Sequence, residues 1–336
     1  TLRETAGEYE RADQQLTVHK DIEDVSQMIH FPKLKTSVKD DQTGTHIIKS
    51  EKDMQITDTV EYHNLKKGKK YKITGILMDK DTGKAVKDAN GEKITSSVEF
   101  VAEDTDGSVD VKFNFDGTNL GGKILVAFEK LYYGEKLYGI HADLEDEEQT
   151  MYVPEVETVA LNKETETHHA LADGTVELLD TVKYRNLLPG RNYTLHGMIV
   201  EKETGNPVSE ERTLEFVPEK SEGSVELGFE ISADELCGKT IVVYEEIKAD
   251  GKSIAEHKDP EAKEQSIYFP EIGTKALDEN SKTQEGEAKE KQKIIDQITY
   301  KNLLPDETYV LKGVLMDKET GKELLDENGK RVTAGI

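Results

Sequence analysis

The chain repeats itself at module length, and that repeat limits what it can fold into more than any other feature. Three segments align directly: Thr57-Asp58-Thr59-Val60-Glu61-Tyr62-His63-Asn64-Leu65, Leu179-Asp180-Thr181-Val182-Lys183-Tyr184-Arg185-Asn186-Leu187 and Ile295-Asp296-Gln297-Ile298-Thr299-Tyr300-Lys301-Asn302-Leu303. A tyrosine-led run follows each one, at Tyr71, Tyr193 and Tyr309. Asp58 to Asp180 is 122 residues and Asp180 to Asp296 is 116, the difference falling in a hairpin around Asn90-Gly91. This period is too long for a solenoid and suits a tandem of small domains. Within each copy, short runs rich in Val, Ile, Thr, Tyr and Phe alternate with polar residues. Turn signals such as Thr82-Gly83, Pro189-Gly190 and Thr320-Gly321 separate them. The pattern predicts an all-β chain of tandem Ig-like/CnaB-like β-sandwich modules in a beaded rod. The expected divisions are a closing remnant of an upstream module over 1–31, complete modules over 32–153 and 154–269, and the opening part of a third over 270–336.

Composition narrows the function. Apolar residues make up 35% and charged residues 34%, enough for several small cores with wet outer faces. A net charge of −25 leaves no basic patch for nucleic acid or an anionic membrane, so neither is an expected partner. No apolar run reaches the length of a membrane span. The single cysteine, Cys237, excludes an intramolecular disulfide and a cysteine-based zinc site; it reads as a loop residue. No metal or other cofactor is expected. Asp79-x-Asp81-x-Gly83 resembles the start of a calcium loop but lacks the downstream glutamate and reads as a hairpin turn. Asp143 and Asp146 beside His141 read as solvated acidic surface.

The chemical signal is a set of polar residues on apolar strand faces. Thr36 alternates in phase with Leu34 and Val38, and Thr158 with Val156 and Ala160. Asp58 falls between Ile56 and Val60, Asp180 between Leu178 and Val182. Glu129 is in phase with Leu125 and Ala127, Glu245 with Ile241 and Val243. Gln149 is in phase with Met151 and Val153, Gln265 with Ile267 and Phe269. His141 and His257 each precede their glutamine by 8 residues, as His19 precedes Gln27, and each glutamine precedes the next threonine by 9. Thr274 and Asp296 begin the set again, 22 residues apart as in the other two copies. Burying such groups without partners costs several kcal/mol, so they are expected to be partners of one another. One reading is a hydrogen-bond network that sets strand register. The other is an acyl-transfer site in which the threonine hydroxyl attacks the glutamine carboxamide, releasing ammonia and leaving an ester, with imidazole and carboxyls moving protons. Such a site would turn over once, so no enzyme in the ordinary sense is expected.

The runs Leu125-Val126-Ala127-Phe128-Glu129 and Ile241-Val242-Val243-Tyr244-Glu245 resemble the motif of VaFE-repeat surface-anchored proteins of Gram-positive bacteria. The proline-led openings and the His…Gln closings are similar to those of their Ig-like ester-bond domains. The resemblance implies bonds Thr36–Gln149, assisted by Asp58, Glu129 and His141, and Thr158–Gln265, assisted by Asp180, Glu245 and His257, without dividing roles among the assistants. It also implies an extracellular, cell-wall-attached stalk segment of an adhesin. Its partners would be neighbouring modules and, through other parts of the parent chain, a host ligand. Residues 1–31 and 270–336 lack a full set and are not expected to crosslink internally. Rival readings are an Ig-like ligand-binding module without a crosslink, and a Lys–Asn isopeptide sandwich using Lys33 or Lys35, for which module 2 offers only Glu155 and Glu157. The nine-residue Gln-to-Thr stretches, each with a proline (Pro32, Pro154, Pro270), predict short tethers between beads.

Overall fold

The computed structural model describes residues 2–3, 7–11, 14–289 and 291–336. Strands and three one-turn 3-10 helices are the regular elements among them, so the chain is all-β. Alternation decides the layering. In module 1 the opening strand Lys33–Asp40 buries Leu34, Thr36 and Val38 and turns Lys33 and Lys35 to solvent. It pairs with Met54–His63, which pairs in turn with Gly107–Phe115. The facing sheet is built on Lys70–Asp79 and Ile124–Tyr133. Lys136–His141 and the closing strand Thr150–Tyr152 both hydrogen-bond to Ile124–Tyr133, one along each end. Module 2 repeats this with opening strand Glu155–Asn162, then Thr175–Arg185 and Gly223–Ser232, against Tyr193–Glu201, Thr240–Ala249, Lys252–His257 and closing strand Ser266–Tyr268. Each sandwich encloses its own apolar cluster.

The opening and closing strands belong to opposite sheets but lie side by side at one edge. A bond between the neighbours of Thr36 and Gln149 reports this closeness: the Ser37 hydroxyl donates to Glu148 at 3.3 Å. The segment after each opening strand also runs parallel to the closing strand. Tyr152 N–H donates to the His46 carbonyl at 2.7 Å, and Tyr268 N–H to that of His168 at 2.8 Å.

The expected tethers are not tethers. Of the residues between Gln149 and Thr158, Thr150–Tyr152 form the closing strand and Glu155 already begins the next opening strand. Only Val153 and Pro154 lie between. A repeated asparagine braces each crossing. Asn64, Asn186 and Asn302 all adopt left-handed backbone, at φ 61°, 58° and 54°, a conformation asparagine tolerates better than most residues. Each donates its side-chain amide to the carbonyl just before a junction proline: Phe31 at 3.4 Å, Val153 at 3.3 Å and Phe269 at 3.5 Å.

In the third copy Glu271–Asp278 pairs with Ile294–Lys301, and Thr274 and Asp296 are exposed. Asp79 closes a turn, accepting from Thr82 N–H at 2.9 Å and from Lys123 at 2.8 Å, and no group of three or more potential metal ligands occurs among the described residues.

The tyrosine-led strands carry a glycine on the inward face, directly opposite the glutamate: Gly75 against Glu129 and Gly197 against Glu245. A Cβ at Gly75 would sit 2.6 Å from Phe113 Cζ, and one at Gly197 would sit 2.3 Å from Leu227 Cδ2. The glycine lets the two sheets close over the carboxyl. Gly75→Ala should therefore destabilise module 1 by about 1–3 kcal/mol; calorimetry of the variant checks this, and an unchanged melting profile would show that the approach is not tight.

Candidate functional site

Five side chains of module 1 converge where the opening strand, the glutamate strand and the closing segment meet. Thr36, Asp58, Glu129 and Gln149 are all buried. Pairing places Val38 opposite Asp58, so Thr36 and Asp58 are inward neighbours across the ladder. Glu129 lies directly opposite His141. Gln149 donates its amide to Asp58 Oδ1 at 3.2 Å. It is not on a strand, as alternation alone suggests, but ends a 3-10 turn, Glu147–Gln149, capped by Asp146. The turn aims the carboxamide inward and then releases the chain into the closing strand. Module 2 places Thr158, Asp180, Glu245 and Gln265 alike, all buried, with Gln265 hydrogen-bonded to Glu245 and Glu245 opposite His257.

These pockets hold many polar atoms and few formed bonds. Thr36 Oγ1, one oxygen of Asp58, both oxygens of Glu129 and Gln149 Oε1 are buried without a hydrogen-bond partner. In module 2 the same holds for Thr158 Oγ1, both Asp180 oxygens, one Glu245 oxygen and Gln265 Oε1. A proton held between the two carboxyls would pair them, which leaves the threonine hydroxyl and the carboxamide oxygen as the polar groups without a partner.

Electrostatics agree. Burial, then the adjacent Asp58 carboxyl, pushes Glu129 up to about 10. Burial and Asp180 likewise push Glu245 up to about 10. Burial raises Asp58 as well, and raises Asp180 to about 7. Two carboxyls side by side in a dry place cannot both ionise, so at neutral pH the glutamate keeps a proton. Thr36 and Thr158 are near enough to act on these glutamates, though neither hydroxyl has the geometry of a formed hydrogen bond.

The histidines differ. His141 Nε2 bonds Asp146 at 2.8 Å, and His19 meets Asp24 at the same distance. Asp146 is therefore no mere solvated surface residue. The recurrent five-residue spacing from histidine to aspartate, His19 to Asp24 and His141 to Asp146, was the signal that could have revealed it. At that spacing module 2 has Ala262, whose turn has no side-chain cap. Burial lowers the proton affinity of His257.

The T-Q ester bond containing domain matches residues 32–153, 154–269 and 270–336. The chain belongs to that family. No curated protein matches it in sequence. Among solved structures, a bacterial adhesin from Mobiluncus mulieris, described as containing intramolecular disulfide, isopeptide and ester bond cross-links, is 14% identical over 81% of this chain and 98% of its own, with a TM-score of 0.30. A glycosyl hydrolase family 2 member from Bacteroides cellulosilyticus is 15% identical over 71% of this chain and 32% of its own, with a TM-score of 0.28. Likenesses this distant say nothing about the site; the T-Q family match and the geometry above do.

The raised carboxyl pair has a consequence for stability before any crosslink. A glutamate in the unfolded chain ionises near 4.5, and the folded one near 10. Between those values the folded state holds a proton that the unfolded state has lost, so stability falls as pH rises, by up to about 1.4 kcal/mol per pH unit per site. Thr36→Ala/Thr158→Ala protein, which cannot esterify, should melt at a higher temperature at pH 5 than at pH 8. A flat or rising profile would mean that the glutamates are ionised in the fold.

Proposed function

We propose that modules 1 and 2 each close an ester between Thr36 and Gln149 and between Thr158 and Gln265, and that the tandem acts as a load-bearing stalk segment of a surface adhesin. The carrying observation is one dry pocket that holds a buried hydroxyl, a buried carboxamide and a protonated carboxyl. The threonine oxygen attacks the glutamine side-chain carbonyl carbon, and the C–N bond breaks. The hydroxyl proton, passed through the imidazole or the carboxylate, leaves with the nitrogen as ammonia. The neutral glutamate donates to the carbonyl oxygen as it gains charge. Holding both partners in one fold supplies much of the acceleration, and the attached product ends each site's activity after one turnover.

The gain is mechanical and thermodynamic. The bond joins the strand on which tension enters a module to the turn that leads directly into the strand by which it leaves, so a pull along the array bypasses the core. It also closes residues 36–149 into a covalent loop, worth about 5 kcal/mol by chain entropy. An extracellular location suits this chemistry: a single exposed cysteine supplies no staple, and esters between buried side chains serve instead. A Lys–Asn isopeptide through Lys33 or Lys35 has no support, because both side chains face solvent. A plain ligand-binding module leaves the buried orphan atoms without a purpose.

Intact-mass measurement decides. Wild-type protein should be lighter than its sequence by two ammonia molecules. Thr36→Ala and Thr158→Ala should each restore one, and should lower the melting temperature of the affected module by about 15–25 °C. Full sequence mass in well-folded wild-type protein would leave only the binding-module reading. Asp146→Ala should slow closure of module 1 by about tenfold or more, through loss of the group that orients His141; module-resolved peptide masses taken over time report this.

A further inference from the structure

The two complete modules steady their histidines by different means. His141 has Asp146; His257 has Ala262 at that place, and its Nδ1 is buried with no hydrogen-bond partner. What lies against the strand carrying His257 is module 1. Ile47, in the segment after module 1's opening strand, is 0% exposed and belongs to the apolar cluster of module 2, whereas Ile48 beside it belongs to that of module 1. Lys49 pairs with one oxygen of Glu256, the residue before His257, at 2.7 Å, while Lys258 of module 2 bonds the other at 3.0 Å. At the other end of the same strand, Lys252 Nζ donates to the Gln42 carbonyl at 2.5 Å. The strand Lys252–His257 is thus tied at both ends to residues 42–49 of its neighbour. A cleft of about 410 Å³ between the modules has Lys49, Pro154, Glu256 and His257 in its wall.

We propose that module 1 is a working part of the module 2 ester site: Lys49 positions His257 through Glu256, and Ile47 seals the end of module 2's core against water. This rests on the ester-forming reading above and adds that closure of Thr158–Gln265 depends on the joint with module 1, while closure of Thr36–Gln149 does not depend on that joint. The tie is particular to this junction. In module 1's own histidine strand Ile140 stands at the place of Glu256 and is 56% exposed. One junction further on, Leu171 replaces Lys49 and is 80% exposed, and His169 replaces Ile47. Module 1 therefore steadies its histidine from within, whereas module 2 adds a tie from its neighbour, Lys49, to the one that Lys258 makes to Glu256. A displacement of about 1 Å at a proton-transfer group can cost on the order of a hundredfold in rate, so a modest surface tie can matter to the chemistry more than to stability.

The test uses the full chain, made by cell-free synthesis, quenched over time and digested so that ammonia loss is read in each module separately. Lys49→Ala should slow closure of module 2 by about threefold or more, and Ile47→Ala, which keeps the backbone bonds of residues 46–48 to module 1's closing strand, by about tenfold or more, with module 1 closing at the wild-type rate in both. Lys49→Arg should keep the wild-type rate. Ala262→Asp placed in the Lys49→Ala background should restore it, which a purely structural role for Lys49 would not allow. Wild-type closure of module 2 in Lys49→Ala and Ile47→Ala, or equal slowing of both modules, overturns the proposal while leaving the ester reading intact. No ammonia loss in either module of the wild type overturns the ester reading itself and this proposal with it.

Discussion

Two carboxyls buried side by side in each sandwich set the terms for the rest of the fold. Asp58 with Glu129, and Asp180 with Glu245, sit where water is excluded, and the glutamate of each pair keeps a proton. That arrangement requires the sheets to close tightly over the pair, which the glycines opposite the glutamates permit. It also requires the two chain ends of each module to lie together, because one end brings the threonine and the other the glutamine. A neutral acid in a dry pocket polarises a carbonyl without the cost of a buried unpaired charge. Of the orphaned atoms, the proposed esterification would remove the threonine hydroxyl and keep the carboxamide oxygen as the ester carbonyl.

The form of the junctions follows from the same placement. Each closing strand passes within two residues into the next opening strand, and a left-handed asparagine holds the carbonyl at the crossing. Neighbouring modules therefore meet as packed bodies. At the first full junction the packing goes further, since Ile47 is interior to module 2 although it belongs by sequence to module 1. The matching contact one junction on is polar: His169 meets Tyr309 at 3.2 Å. Joints of one architecture can thus differ in character through two exchanged side chains, His169 for Ile47 and Leu171 for Lys49.

Much of this was legible before any coordinates. Period-two alternation reports which way a side chain points, so Thr36, Asp58, Glu129 and Gln149 could be read as inward, and they are buried. Other features were not legible, each for a local reason. The 3-10 turn that carries Gln149 spans three residues, too few for a period to show. Asp146 sits among the acidic residues Asp143 and Glu145, and its five-residue spacing from His141 gains meaning only from the contact between them and from its cap on the turn. The supposed tethers looked like linkers because residues of two strands were counted as connection.

The sequence by itself determined the all-β class, the number of copies, the faces of the strands and the identity of the groups that had to meet. These follow from spacing along one chain, and short-range sterics translate spacing into direction. Only the tertiary structure decided which groups of one module touch the next, which carboxyl keeps the proton and which histidine has a partner of its own. Those properties depend on burial and on distances between residues far apart in the chain, and no local pattern encodes either.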